Sequence, residues 1–494
     1  MNKPHHEPMP LKTRHRTHLL GLAFGLSLLT ATAHAQSPVT HYEYDANGNR
    51  SKITRTLGQG NLVTVLNYDA LNRLITQTDP SLGQTRFAYN GQDRLTQVTD
   101  PRSLITRYTL DGLGNRTQLQ SPDTGTSTST YDAAGNELTR TDAKGQTTRT
   151  QYDALNRPTL ITHQDGSQIR LTWDQGAANT IGRLGKVEEL AAGTGTVTGS
   201  IQYAYDAQGR ITSETRTVGS VTHSTAYSYS GGKLAGITLP SGRSLAYSRN
   251  GAGQINQVTL TDVGPNAGQT KVLATAISYH PFGGLKTWTD GAGQMHSRNQ
   301  DLDGRPTGYS LGATPWLISY DAAGRISAQV DGSNAVNSGL YAYDPLDRLT
   351  SAQLPATNYG YNYDATGNRT TQTLGGSTRN YVTDPASNKL QSVSSTPPKT
   401  YSHDANGSIT GDGTNTFAYD ARGRLVQTLT AAGTTDYRIN ALGQRVRKTS
   451  SGATPTDTIY HYDQAGHLIA EADATGKITR EYLWLEDTPL AVMQ

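Results

Sequence analysis

Apolar and polar residues alternate along most of this chain in short runs, and each run ends at a cluster of Asp, Asn and Gly. Arg73-Leu-Ile-Thr-Gln-Thr78 and Gln84-Thr-Arg-Phe-Ala-Tyr89 show the pattern. Their β-branched and aromatic residues at alternate positions predict strands half-buried on one face. Between runs, an Asp suited to accept backbone hydrogen bonds is followed by a Gly or Asn suited to a positive φ. Two strands joined by such a loop predict a hairpin. Helical periodicity is nearly absent after residue 35. The best exception, Lys186-Val-Glu-Glu-Leu-Ala-Ala192, is expected to belong to a repeat connection.

The turns recur. Tyr44-Asp45, with Gly48 and Arg50 behind it, returns as Tyr68-Asp69 with Arg73, Tyr205-Asp206 with Gly209 and Arg210, and Tyr320-Asp321 with Gly324 and Arg325. Further copies are Tyr363-Asp364 with Gly367, Tyr419-Asp420 with Gly423 and Arg424, and Tyr462-Asp463 with Gly466. Plainer copies start at Tyr131, Tyr152 and Tyr343, and degenerate ones at Tyr89, Tyr108, Trp173, Tyr247, Tyr401 and Tyr437. The period is roughly twenty residues, within the range of repeat architectures. A weaker second turn lies between them, as at Thr78-Asp79-Pro80 and Thr141-Asp142. One period reads strand, turn, strand, turn. A single hairpin is marginal in water, so stacked neighbours must supply stability. The predicted fold is therefore all-β: antiparallel hairpins laid side by side in a long sheet, which must curl because a flat one would expose its edges. The pattern leaves an open solenoid, a propeller and a closed shell as alternatives.

Composition sharpens this picture. The 494 residues exceed what one compact core spans. Tyr outnumbers Phe 27 to 4, which suits thin sheets that need an apolar ring with a polar tip. The absence of cysteine excludes disulfides, thiolate metal sites and Cys nucleophiles. The formal charge of +3 is carried entirely by residues 1–35, where Lys3, Lys12, Arg14 and Arg16 oppose Glu7. The remainder is neutral and has no global basic footprint for nucleic acid.

Residues 1–35 read as a secretory signal peptide. Basic Lys12, Arg14 and Arg16 precede an apolar run from Leu19 to Leu29, and Ala33-His34-Ala35 is a small-x-small cleavage pattern. The apolar run is short for a bilayer span, so an N-terminal anchor is the weaker alternative. Met9 is an alternative start. Residues 36–494 form the repeat region, which contains no run of transmembrane length. The expected location is the periplasm, the cell surface or the medium.

The Tyr-Asp-x-x-Gly-Arg-Leu units resemble the YD repeats of bacterial Rhs proteins, wall-associated proteins and teneurins. The resemblance extends to Ile181-Gly-Arg-Leu184, Tyr203-Ala-Tyr-Asp206, Leu239-Pro-Ser-Gly-Arg243, Ile277-Ser-Tyr-His-Pro-Phe-Gly283 and Asp301-Leu-Asp-Gly-Arg305, which follow the Rhs order. It implies a β-strip spiralling into a hollow shell that encloses a C-terminal toxic cargo or serves adhesion. Members of the family continue past the equivalent of Arg480-Glu-Tyr-Leu-Trp484 with an Asp-His-Leu-Gly-Thr-Pro segment and a cleavage junction. On that comparison the shell is expected to be incomplete at its C-terminus. Its partners are then a protein cargo, or the closing segment itself. Backbone groups near Tyr482 and Trp484 are expected to lack partners and to favour self-association.

Candidate chemistry is sparse. Gly-x-Ser-x-Gly, His-Glu-x-x-His and P-loop motifs are all missing. Ser230-Gly-Gly-Lys233 matches Ser-x-x-Lys but falls at a repeat turn, with Lys233 in place of the usual Arg. Asp45-Ala-Asn-Gly-Asn49 and Asp301-Leu-Asp-Gly304 resemble the opening of calcium loops without the distal carboxylate. The periodic carboxylates serve turns more readily than glycoside hydrolysis. His461 and His467 are expected at the surface of an unfinished edge. The reading is a non-enzymatic exported scaffold that needs no cofactor. Glycan binding by stacking on tyrosines is the alternative function, and a remnant of a truncated gene is the third reading.

Overall fold

The structure is a computed structural model that describes residues 39–57, 60–176, 178–281 and 283–494. The expected leader, residues 1–35, lies outside the described residues, as does Phe282. Among those described are 43 strands and two short 3-10 helices, Gly264–Asn266 and Ala335–Asn337. Each strand pairs antiparallel with its neighbours in sequence, in one run of 33 and one of 10. The break is at Tyr401: Lys399–Thr400 pairs back with Leu390–Val393, while Ser402–His403 pairs onward with Ile409–Gly411. The strip of hairpins expected from the alternation is the fold.

Local chemistry sets each turn. At Asp321 the backbone N–H donates to the Arg325 carbonyl at 2.8 Å, and the Gly324 N–H donates to the Asp321 carbonyl at 2.9 Å. The Asp321 Oδ1 accepts the amides of Ala323 and Arg325, both at 2.9 Å. Gly324 then sits at φ +79°, in left-handed space. Asn72 and Asn156 take the same position at φ 62° and 61°, and Asp93 and Asp347 at φ 60° and 63°, so Asn and Asp are the tolerated substitutes.

The turns also curve the strip. At each Tyr-Asp turn the strand register slips: Asn362 faces Thr371, but Tyr363 faces Arg369. The same bulge recurs at Tyr68, Tyr89, Tyr152, Tyr205, Tyr320, Tyr343, Tyr419 and Tyr462. Turns on the opposite edge, after Thr78, Thr99 and Thr141, close without a slip. A bulge bends its strand and increases right-handed twist. Bulges concentrated along one edge therefore coil the ribbon.

The coil brings the chain back alongside itself. Arg55 pairs with Asp347 at 2.7 Å, 292 residues away. Further along, Arg102 donates to the Ser387 carbonyl, Asn406 to Asp142 and Arg438 to Glu189. Still further, Arg216 donates to Gln444, Arg243 to Glu481 and the Tyr247 hydroxyl to the Trp484 carbonyl. Residue numbers rise together on both sides of this seam, so a second lap runs parallel to the first.

Where the laps overlap broadly, the apolar faces close on each other. Leu239, Leu245, Val258 and Leu260 of the first lap pack with Ile469, Leu483 and Leu485 of the second. Glu481 is fully buried there and meets Arg243 at 2.9 Å. Removing Arg243 would strand that carboxylate, a cost of about 3–5 kcal/mol. Elsewhere the sheet is a single layer: among described residues 39–162, Leu66 alone is buried.

Three expectations are corrected. Lys186–Ala192 is not a connection: its first five residues belong to the strand Leu184–Leu190, whose Val187 and Leu190 lie in the interior. Tyr482 and Trp484 do not lack partners, because Thr488–Met493 folds back on Ile478–Leu485, with Tyr482 opposite Val492 and Trp484 opposite Pro489. Glu486 makes the tight reversal at φ 51°, and Pro489 lies within the returning strand. His461 is not a surface group. It is 2% exposed and contacts His223 of the first lap edge-on, at 4.5 Å between ring centroids.

Two predictions follow from this packing. Gly324→Val should cost about 1–3 kcal/mol by forcing a β-branched residue into left-handed space, while Gly324→Asn should be nearly neutral. Hydrogen exchange should rise only in the adjacent hairpins, since repeat stability is nearly additive between neighbours; an unchanged exchange map would refute the strain. The second concerns His461, which burial, and then His223 and Arg216, holds down at a pKa of about 3. With the folded value below the unfolded one of about 6.5, its contribution is complete above pH 6.5 and is lost as pH falls toward 3. Denaturant unfolding should show a loss of about 1.4 kcal/mol per pH unit in that window, and His461→Phe should flatten the slope.

Candidate functional site

The Tyr-Asp-Gly-Arg units form a continuous clasp along the strip. In the unit at Asp321, the second carboxylate oxygen accepts the Arg325 Nε at 2.7 Å. The same guanidinium reaches forward to the next turn, donating to the Asp344 carbonyl at 2.9 Å and Asp347 at 3.0 Å. It also lies 4.9 Å from the ring centroid of Tyr343, the next unit's tyrosine. The Tyr343 hydroxyl reaches back and donates to the Ile326 carbonyl at 2.8 Å. Each period is thus tied to the next in both directions. A cation over an aromatic ring is worth about 0.5–2 kcal/mol, and each hydroxyl bond about 1 kcal/mol.

The other units repeat the geometry. Tyr68 donates to the Arg50 carbonyl, Tyr205 to Leu184, Tyr320 to Pro306, Tyr363 to Leu349, Tyr419 to Ile409 and Tyr462 to Arg445. Asp69, Asp206 and Asp420 hold Arg73, Arg210 and Arg424 through Nε at 2.8, 2.6 and 2.8 Å. Arg73 bonding and the turn amides draw the Asp69 carboxyl below its usual range. Asn368 replaces Arg opposite Asp364, bonding at 2.9 Å. Gly48, Gly209, Gly367, Gly423 and Gly466 all have positive φ.

The first unit departs from the sequence reading. Asn49, not Arg50, fills the clasp position on Asp45, at 3.0 Å. Arg50 lies one residue beyond and stacks over Tyr42 instead. Tyr44 is 63% exposed and ends the first described strand.

At the last Tyr-Asp turn, Asp463–His467, His467 takes the arginine's place. Its Nδ1 meets Asp463 at 3.0 Å, its Nε2 meets Asp487 at 3.0 Å, and its ring stacks on Trp484 at 4.6 Å. Although burial opposes it, Asp463 and Asp487 hold the His467 imidazolium above its ordinary pKa. The Trp484 Nε1 donates to the Leu468 carbonyl at 2.9 Å, as a tyrosine hydroxyl does elsewhere. Trp173 does the same toward Pro158 at 2.8 Å. The sequence carried a signal for this back-bond: tyrosine is replaced at these two turns by tryptophan, which keeps a donor, and not by Phe.

The remaining motifs are occupied structurally. Lys233 donates to the Gly253 carbonyl at 2.8 Å, doing the arginine's forward reach, so its amine does not act on Ser230. Asp45 spends Oδ1 on the Asn47 and Asn49 amides. Asp301 does likewise with Asp303 and Arg305. These oxygens serve the turn, which leaves little of either carboxylate for a cation or for acid–base chemistry. Rings such as Tyr343 and Tyr363 carry an arginine on one face, which a sugar would have to displace.

The comparisons agree with this geometry. Residues 68–105, 89–126 and 131–174 match the RHS Repeat, and residues 343–483 match the Teneurin YD-shell. The chain is 30% identical over 129 residues to the tRNA3(Ser)-specific nuclease WapA of Bacillus spizizenii, which covers 25% of this chain and 5% of that protein. It is 25% identical over 371 residues to the Double-stranded DNA deaminase toxin A of Burkholderia cenocepacia, covering 66% of this chain and 24% of that one. It therefore spans only a minor part of either relative. Among solved structures, the Photorhabdus luminescens Tc holotoxin pore superposes with a TM-score of 0.70 at 16% identity, over 92% of this chain and 30% of that one. The TcdB2-TccC3-Cdc42 structure gives 0.71 at 16% identity, over 93% and 31%. By its repeats and the segments that match these two families, the chain is similar to RHS/YD-repeat proteins, and it has the fold of their β-shell.

Proposed function

We propose that this chain is an exported shell wall whose tyrosine-bearing face lies against an enclosed polypeptide cargo, and that it performs no chemistry itself. The observation that carries the reading is the uneven cover of that face. Between residues 169 and 288 it is sealed by the second lap. Between residues 39 and 162 the same face, with Phe87, Tyr89, Tyr108 and Tyr152, is only half-buried. Apolar surface of that extent calls for a partner. Relatives named as a nuclease and a deaminase toxin support a toxic cargo. Among the described residues no helix is long and apolar enough to cross a membrane. We assign residues 1–35 to the export signal and 36–494 to the shell.

Opposite faces of one strand supply the test. Phe87 is half-buried on the tyrosine face, and Ala88 is exposed on the other. A photo-cross-linking residue at position 87 should capture a second polypeptide in cells producing the protein, and one at position 88 should not. Equal capture from both, or none, would refute enclosure. Export is checked separately: N-terminal sequencing of protein recovered outside the cytoplasm should begin at Gln36, and an intact leader there would overturn the signal reading.

A further inference from the structure

A cleft of about 500 Å³ lies where the second lap's turn Asp420–Arg424 meets the first lap, on the tyrosine-bearing face. Leu119, Ile161 and Ile169 form its apolar wall. A smaller cavity of about 190 Å³ continues it and shares His163 and Arg422. Two guanidiniums, Arg140 and Arg422, face two carboxylates, Glu137 and Asp142, so the lining has no net charge; what distinguishes it is that neither guanidinium has an ion-pair partner among the described residues. The side chain of Arg140, an exposed residue, makes no hydrogen bond or ion pair among the described residues. The Arg422 guanidinium, from the other lap, donates only to the Asn440 and Ala441 carbonyls, at 3.4 and 3.3 Å.

The nearby carboxylates keep their charge but already accept hydrogen bonds, Asp165 from Ser167 among them. Glu137 accepts Ser129, Asp142 accepts Asn406, Glu189 accepts Ala441 and Arg438, and Asp420 holds Arg424. The third unsatisfied group is His163. It is 7% exposed, its Nδ1 approaches Thr148 at 3.4 Å, and its Nε2 is buried with no partner. A buried polar atom without a partner costs about 1–3 kcal/mol and calls for an explanation.

We propose that this cleft binds a small oxyanion, a carboxylate or a phosphate, held between the Arg140 and Arg422 guanidiniums, with His163 Nε2–H as an added donor. Guanidinium matches the planar or tetrahedral oxygens of such groups and binds them with charge-assisted hydrogen bonds. Because one arginine comes from each lap, the bound anion closes the seam and stabilises the coil by mass action. The anion is either a free ion or the acidic side chain of a polypeptide on that face. The site stands whether or not a cargo is enclosed.

Calorimetry on the exported protein, in phosphate-free buffer of low ionic strength, tests this with two probes: inorganic phosphate and a glutamate-rich peptide. Saturable phosphate binding should weaken at least tenfold in Arg140→Gln and in Arg422→Gln. It should be unchanged in Arg149→Gln, whose side chain lies on the opposite face of the same hairpin. Both cleft variants should unfold at the wild-type temperature without phosphate and lose the stabilisation that phosphate adds. Displacement of phosphate by the peptide identifies a polypeptide carboxylate as the occupant, and phosphate binding without displacement identifies the free ion. Absence of saturable binding by either probe, or equal binding in wild type and both cleft variants, would overturn the proposal.

Discussion

The structure depends on the bond between an aspartate and the turn that follows it. Asp Oδ1 satisfies two amides that a tight reversal would otherwise leave unpaired, and Oδ2 fixes the residue at the turn's end. That residue, usually Arg, is thereby aimed at the next tyrosine. A thin sheet lacks a second layer to hold its side chains in place. Here the restraint is lateral, from period to period, and amounts to about 1.5–3 kcal/mol per junction if the stacking and hydroxyl bonds add. This accounts for the excess of tyrosine over phenylalanine: the ring receives the guanidinium, and the hydroxyl returns the bond.

The same turn sets the larger shape. Its bulge lies on one edge of the ribbon, so many small bends add with one sign and bring the chain back beside itself. Only then do apolar faces meet. Leu483 and Leu485 become fully buried against residues more than two hundred positions away, and Glu481 finds Arg243. The two-layer region is therefore a consequence of curvature that the single-layer repeats impose. Its contacts include several buried ionisable groups, Glu214, Arg216, Glu481 and His461 among them. Such groups need their partners in place, so the two-layer closure depends on correct register.

How much of this was legible in the sequence follows the range of each interaction. The turns, the period and the all-β hairpin strip were, because Asp, Gly and alternation act within a few residues. The bond from each tyrosine back to the preceding period was readable in principle from the Tyr-to-Trp exchanges at 173 and 484. Arg50 was misplaced by one position because Asn49 satisfies Asp45 equally well, and the motif does not distinguish them. Lys186–Ala192 has helix-like spacing, yet strand neighbours on both sides override it. The burial of His461, the cover over Trp484 and the Arg140–Arg422 cleft all depend on which turns of the two laps meet. No local pattern encodes that pairing.

The seam also explains why repeats so loosely conserved within one chain still build a defined object. Within a lap, one hairpin substitutes for another, since Asn, His or Lys can stand where Arg usually does. Across laps nothing is interchangeable. Arg55 meets Asp347, Arg102 meets the turn Asp384–Asn388, and Arg438 meets Glu189. Each contact uses a side chain that the repeat motif does not specify. Residues free of the motif therefore do much to fix the pitch of the coil, together with a few unit positions such as Tyr247, which bonds the Trp484 carbonyl, while the motif sets the curvature. Degenerate units such as those at Tyr401 and Tyr437 lie along the second lap, where seam partners impose a requirement of their own. Departure from the repeat there marks positions at which the shell, and not the hairpin, sets the residue.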